Sequence, residues 1–174
     1  MSDPMSETPV GLGRRPLDLL LVGFFGLNLL VITYLFDLEQ VIVADPSHFE
    51  YPVFPPRFML DLAHWWERNF DPLLWARPTW YQATIWIDLV GFGPFYAVAI
   101  YAFTRGREWI RVPAIVWASV MLTNVTIILS EEIWGPFASP KLWAVVAANA
   151  SWIVIPVLVI ARVSSQGPLF RSAP

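Results

Sequence analysis

Four apolar stretches dominate this chain of 174 residues. Each is about 20 residues long, the length at which an α-helix crosses roughly 30 Å of hydrocarbon. The first runs over 17–36 (LDLLLVGFFGLNLLVITYLF), the second over 79–103 with Pro94 inside it, the third over 112–130 and the fourth over 142–161 with Pro156 inside it. Prolines are tolerated in such spans where neighbouring helices satisfy the freed carbonyls. The first stretch is not a secretory signal, because Thr33-Tyr34-Leu35-Phe36-Asp37 offers no small-residue cleavage site. Hydrophobic residues make up 56% of the chain and charged residues 14%, against about 25% charged in a soluble domain. A domain this small buries only about two thirds of its unfolded surface and cannot hide that much apolar area within itself. The composition therefore specifies an all-α integral membrane protein, a bundle of four transmembrane helices. It excludes a soluble globule, a disordered segment and a nucleic-acid partner. With no cysteine there is no disulfide, thiolate metal site or cysteine nucleophile.

Charge orients the bundle. Arg14 and Arg15, then Arg105, Arg107 and Arg111, then Arg162 and Arg171 fall in segments that alternate to one side, which the positive-inside rule makes cytoplasmic. The expected organisation is a cytoplasmic tail over 1–16, a four-span domain over 17–163 and a cytoplasmic tail over 164–174. Eight acids, Glu39, Asp45, Glu50, Asp61, Glu67, Asp71, Glu131 and Glu132, gather on the opposite side. The long first loop there opens with a proline-rich stretch that excludes regular helix. It continues as RFMLDLAHWWERNF over 57–70, where Phe58, Leu62, Trp65 and Trp66 make a helical stripe. That pattern predicts an amphipathic helix lying at the interface, either a surface anchor or a lid over a pocket mouth.

Ionisable and polar groups inside a membrane need a partner or a task. Asp37 lies at the outer end of the first span, and Asp88 nine residues into the second, roughly 13 Å deep at helical rise. Thr123 and Asn124 lie near the outer end of the third, Glu131 and Glu132 at its boundary, and Asn149 and Trp152 two to three turns into the fourth. Four helices contributing polar groups at one depth imply a shared cavity in the outer half. The inner half reads as nearly pure hydrocarbon. Asp88 has no Lys or Arg at its level, so a protonated acid or a carboxyl pair sharing a proton is expected. The alternative for the Asn and Thr residues is helix-to-helix glue, worth about 0.6 kcal/mol each. Asn124-Val125-Thr126 is a glycosylation sequon inside a span and is discounted. His48 and His64 fall in the loop without a ligand-spaced acid, so neither a metal site nor a cofactor is expected.

The order and spacing of several short stretches carry a resemblance. These are Phe36-Asp37-Leu38, Phe70-Asp71-Pro72-Leu73-Leu74, Pro78-Thr79-Trp80-Tyr81, Asp88-Leu89-Val90, Pro94-Phe95, Tyr101-Ala102-Phe103 and Trp109 to Ile115. Over residues 18 to 163 the chain resembles the emopamil-binding protein and sigma-2 receptor superfamily, the four-span EXPERA domain. The receptor branch implies that Asp37 grips a ligand's amine, that Asp71 supports it, and that Asp88 stands for a Glu one methylene longer. Asn149-Ala150-Ser151-Trp152 with Pro156 resembles the isomerase branch, in which the tryptophan face stabilises a carbocation, and Ser130-Glu131 resembles that branch's Thr-Glu. The isomerase's His and Glu of the first span have no counterpart here, where Asn28 and Thr33 stand instead.

Three functions follow as expectations. The first is a binder of a sterol, a sterol-like lipid or an amphiphilic amine, with Asp37, Asp71, Asp88, Thr123, Asn124, Glu131, Asn149 and Trp152 as site residues. The second is a sterol Δ8–Δ7 isomerase of lipid metabolism using Asp88 and Asp37, since such a shift needs one acid and one base. The third is a membrane adaptor. The resemblance also implies a homodimer and an endoplasmic reticulum location in a eukaryote. The Arg-rich, Lys-poor composition suits a bacterial inner membrane.

Overall fold

The structure, a computed structural model, describes residues 10–165 and 167–170. The tail segments 1–9 and 171–174 lie outside the described residues. Among those described there is no strand. The described residues fold, after a short 3-10 turn at Leu12–Arg14, into six longer helical segments: α1 (Pro16–Ile42), α2 (Arg57–Phe70), α3 (Pro72–Ala76), α4 (Thr79–Arg105), α5 (Glu108–Trp134) and α6 (Leu142–Val163). Of these, α1, α4, α5 and α6 are long and apolar enough to cross a membrane, the four expected spans. Both α1 and α5 outrun their apolar windows, so Asp37, Glu39, Glu131 and Glu132 are helix residues rather than loop residues. An acid ends a hydropathy window but does not end a helix when it finds a partner inside the fold.

The bundle packs α5 along α6 and α1 along the second half of α4. Its half farthest from α2 closes on aromatic rings. Phe25 lies edge-on to Trp117 at 5.3 Å and stacks near Tyr96 at 5.9 Å, while Phe95 stacks on Trp117 at 5.3 Å. Phe25, Tyr96 and Phe103 are fully buried, so a substantial share of the aromatics builds the core rather than the membrane belt. The tight corner between α4 and α5 requires Gly106, whose φ of 62° suits a residue without Cβ; the Arg107 amide closes it on the Ala102 carbonyl.

The end of the bundle where α1 begins and α6 ends, expected to be nearly pure hydrocarbon, is not so. Asp18 is 1% exposed and receives Arg162 Nε at 2.8 Å and Arg15 Nη1 at 2.7 Å. Phe170 packs under both guanidinium groups, and the Glu108 carboxylate accepts the Leu169 and Phe170 amides. Three charged groups from α1, α6 and the residue preceding α1 thus lock the bundle where hydropathy averaging shows none.

Helix α2 buries Met59, Leu60, Ala63, His64 and Glu67 against the bundle. It turns Phe58, Leu62 and Trp65 outward, an apolar face suited to headgroups. Trp66, expected on that outer stripe, rotates into the interior because α2 roofs a cavity.

Candidate functional site

That cavity, of about 380 Å³, lies between the halves of α1, α4, α5 and α6 nearest α2, with α2 across its top. Two wider helical turns shape it. Over Asn28–Asp37 and Asp88–Phe92 the backbone adopts π-type turns, which recur at functional sites. Asn28, Thr33 and Asp37, spaced by five and four residues, all face inward as a result. On a regular helix of 3.6 residues per turn Thr33 and Asp37 would share a face, but Asn28 would point about 140° away from Thr33.

The two wide turns meet. The Thr33 hydroxyl donates to Asp88 Oδ1, and the Asp37 and Asp88 carboxyls face each other within hydrogen-bonding reach. No Lys or Arg stands among the described residues lining the cavity around these two carboxyls. The helices approach so closely because residue 93 is glycine: a Cβ there would lie 2.7 Å from the Tyr34 hydroxyl and 3.1 Å from Thr33 Cγ2.

A second carboxyl pair stands elsewhere in the cavity. Asp71 caps α3, its Oδ1 accepting the Leu74 amide at 3.2 Å with Pro72 at the first helical position. It also faces Glu132 across the cavity. Burial pushes the Asp71 carboxyl above its ordinary value. Asn149 sends its amide toward Glu132 Oε2 at 3.5 Å. Asp71, expected to support Asp37, is therefore matched with Glu132, and Asp88 is the acid beside Asp37.

The remaining expected residues divide. Asn124, Asn149 and Trp152 line the cavity, and the Trp152 indole N–H donates to Asn28 Oδ1 at 2.9 Å. Thr123 does not line it: it lies on the exposed side of α5 and returns its hydroxyl to the Ser119 carbonyl. Nor does Glu131, whose carboxylate folds back to accept the Phe137 amide at 3.1 Å. The inward stripe of α5 is Met121, Val125, Ile128 and Glu132, a helical spacing that names Glu132 over Glu131.

Four further residues escaped the sequence reading. Glu39 and Glu67 close on Arg77, whose Nη2 lies 3.0 and 3.1 Å from their carboxylates, and His64 Nε2 meets Glu39 Oε1 at 2.7 Å. Arg77 also donates to the Val43 and Leu74 carbonyls from a left-handed backbone at φ 49°, a conformation uncommon outside glycine. All four are at most 5% exposed. Burial pushes the Glu67 carboxyl up to about 7 despite Arg77 beside it. This charge cluster pins α2 to the C-terminal end of α1 and holds Glu67 at the cavity wall.

Comparison with known proteins agrees with this architecture. The family model EXPERA (EXPanded EBP superfamily) matches residues 58–163, more than half of the chain. Sigma intracellular receptor 2 of Xenopus tropicalis is 30% identical over 148 residues, covering 79% of this chain and 82% of the frog protein. Sigma intracellular receptor 2 of Homo sapiens is 32% identical over 120 residues, covering 68% of this chain and 64% of the human protein, slightly under two thirds of its length. The chain belongs to the EXPERA superfamily and is a multi-pass membrane protein.

Proposed function

From this membership and the cavity's chemistry, we propose that the protein binds an amphiphilic amine or a sterol-like lipid between its four spans. One observation carries the reading. A largely apolar cavity is lined by Asp37, Glu67, Asp71, Asp88 and Glu132, and none of its described lining residues is basic. Such a site is complementary to an apolar body bearing a positively charged or donor-rich end. The Asp37–Asp88 pair supplies the acceptor for that end, since a charge-assisted hydrogen bond is worth about 1.5–3 kcal/mol. Trp152 and the apolar walls hold the body. The excess of Arg on the segments flanking the inner ends supports a cytoplasmic location for both termini, with the cavity on the opposite side.

Photolabelling tests this. A diazirine-bearing alkylamine is expected to label peptides containing 32–40 and 121–132, and excess dodecylamine is expected to suppress that label. Label confined to the outward faces and indifferent to competitor contradicts the reading.

A second reading rests on the same pair opposite Trp152. A carboxyl pair holding one proton offers an acid and a base in one cavity, the two requirements of a double-bond shift. Incubation with a Δ8-sterol in heavy water gives a deuterated Δ7 product if this reading is right, and unlabelled starting sterol if it is not.

A further inference from the structure

The proposed amine site uses one carboxyl pair, and the cavity contains two. Asp37 faces Asp88 and Asp71 faces Glu132. Glu67, the fifth acid, already has Arg77 behind it at 3.1 Å. Two close carboxyls together offer more acceptor oxygens than donors, so the cavity presents anionic acceptors at two places.

The unpaired atoms point the same way. Glu132 is 1% exposed and lines the cavity; the Asn149 amide reaches its Oε2, and no charged donor among the described residues reaches its Oε1. Gln40, 5% exposed and also in the wall, presents an amide oxygen equally without a donor. A buried acceptor left unmet costs about 1–3 kcal/mol, and a buried charge left unmet costs several. A hydroxyl brings one donor and no charge, whereas an ammonium brings several donors and a charge. An occupant with a single cation satisfies one pair and leaves the other without a complementary donor.

We propose that the cavity takes a dicationic amphiphile, one ammonium at Asp37–Asp88 and a second at Asp71–Glu132, with an apolar spacer between them along Tyr81, Val125 and Ile128. This rests on the amine reading above and specifies its ligand class.

The test is competition for tritiated dodecylamine on the purified full chain in detergent. Competitors are α,ω-diamines of six to fourteen carbons and the amino alcohols of matching length, which share the chain and one ammonium but lack the second. The best diamine is expected to displace the reporter at a concentration at least tenfold lower than its amino alcohol. The diamine advantage is expected to peak at one spacer length. Glu132→Gln is expected to bring the ratio between the two competitors close to one. A wild-type ratio near one at every length overturns the proposal, as does an advantage that climbs steadily with carbon number. A ratio unchanged in Glu132→Gln overturns the placement of the second ammonium, and the spacer series stands as the test if that variant does not fold. Dodecylamine that fails to bind at all, with the amino alcohols equally inert, refutes the amine reading itself and this one with it.

Discussion

Arg77→Met removes the one guanidinium buried between Glu39 and Glu67 while keeping most of its volume. Both carboxylates are at most 2% exposed, and breaking a buried ion pair by deleting one partner costs about 3–5 kcal/mol. For a chain of this size that is a fall in melting temperature of about 6–20 °C, readable by tryptophan fluorescence in detergent. The pH dependence gives the sharper test. Burial raises Glu67 from its ordinary 4.5 to about 7, so the folded state takes up this proton more readily than the unfolded chain. The stability it contributes is complete below pH 4.5 and is lost as pH rises through 7, a change of about 3 kcal/mol at 1.36 kcal/mol per unit. Without Arg77 the carboxyl rises further and the loss extends above pH 7. Arg77→Met is therefore expected to be much more destabilised at pH 8 than at pH 5.5. Adding Glu67→Gln is expected to restore part of the difference at pH 8. A variant that melts with the wild type, or loses equal stability at both pH values, refutes the buried charge cluster.

Other perturbations separate binding from folding. Asp88→Asn keeps an acceptor for Thr33 but removes the acid, and is expected to weaken dodecylamine binding by about 10- to 100-fold with helical circular dichroism unchanged; an affinity within twofold of wild type contradicts the pair. Gly93→Ala places a methyl against Tyr34 and Thr33 and is expected to cost about 1–3 kcal/mol of stability, measured as a lower melting temperature, whereas a neutral result argues against the close approach of α1 and α4. Asp18→Ala strands Arg15 and Arg162 at the inner end and is expected to cost about 3 kcal/mol. Amine affinity in Asp18→Ala is expected to stay at the wild-type value, because that clamp lies away from the cavity.

The spans were legible because membrane crossing imposes a length and a composition that survive averaging, and the exposed stripe of α2 was legible from helical spacing. What averaging hid were charges compensated across the fold. Asp18 meets Arg162 from 144 positions along the chain, and Arg77 meets Glu39 from 38; neither pairing has a local signature. In the cavity, Asp37, Asp71, Asp88, Asn124, Asn149 and Trp152 come together. Thr123 and Glu131 fall outside because the register of α5 turns them away. Asn28 shares a face with Thr33 and Asp37 only through the wide turns of α1, which no propensity scale marks. The partnering of the carboxyls depends on how α2 and α3 fold over the bundle, and Asp71 consequently meets Glu132.

Native mass spectrometry of the purified protein with dodecylamine addresses the central claim directly. The wild type is expected to retain one bound amine at concentrations where the folded Asp37→Asn/Asp88→Asn variant retains none. Equal retention by the two proteins would contradict an amine site built on that carboxyl pair.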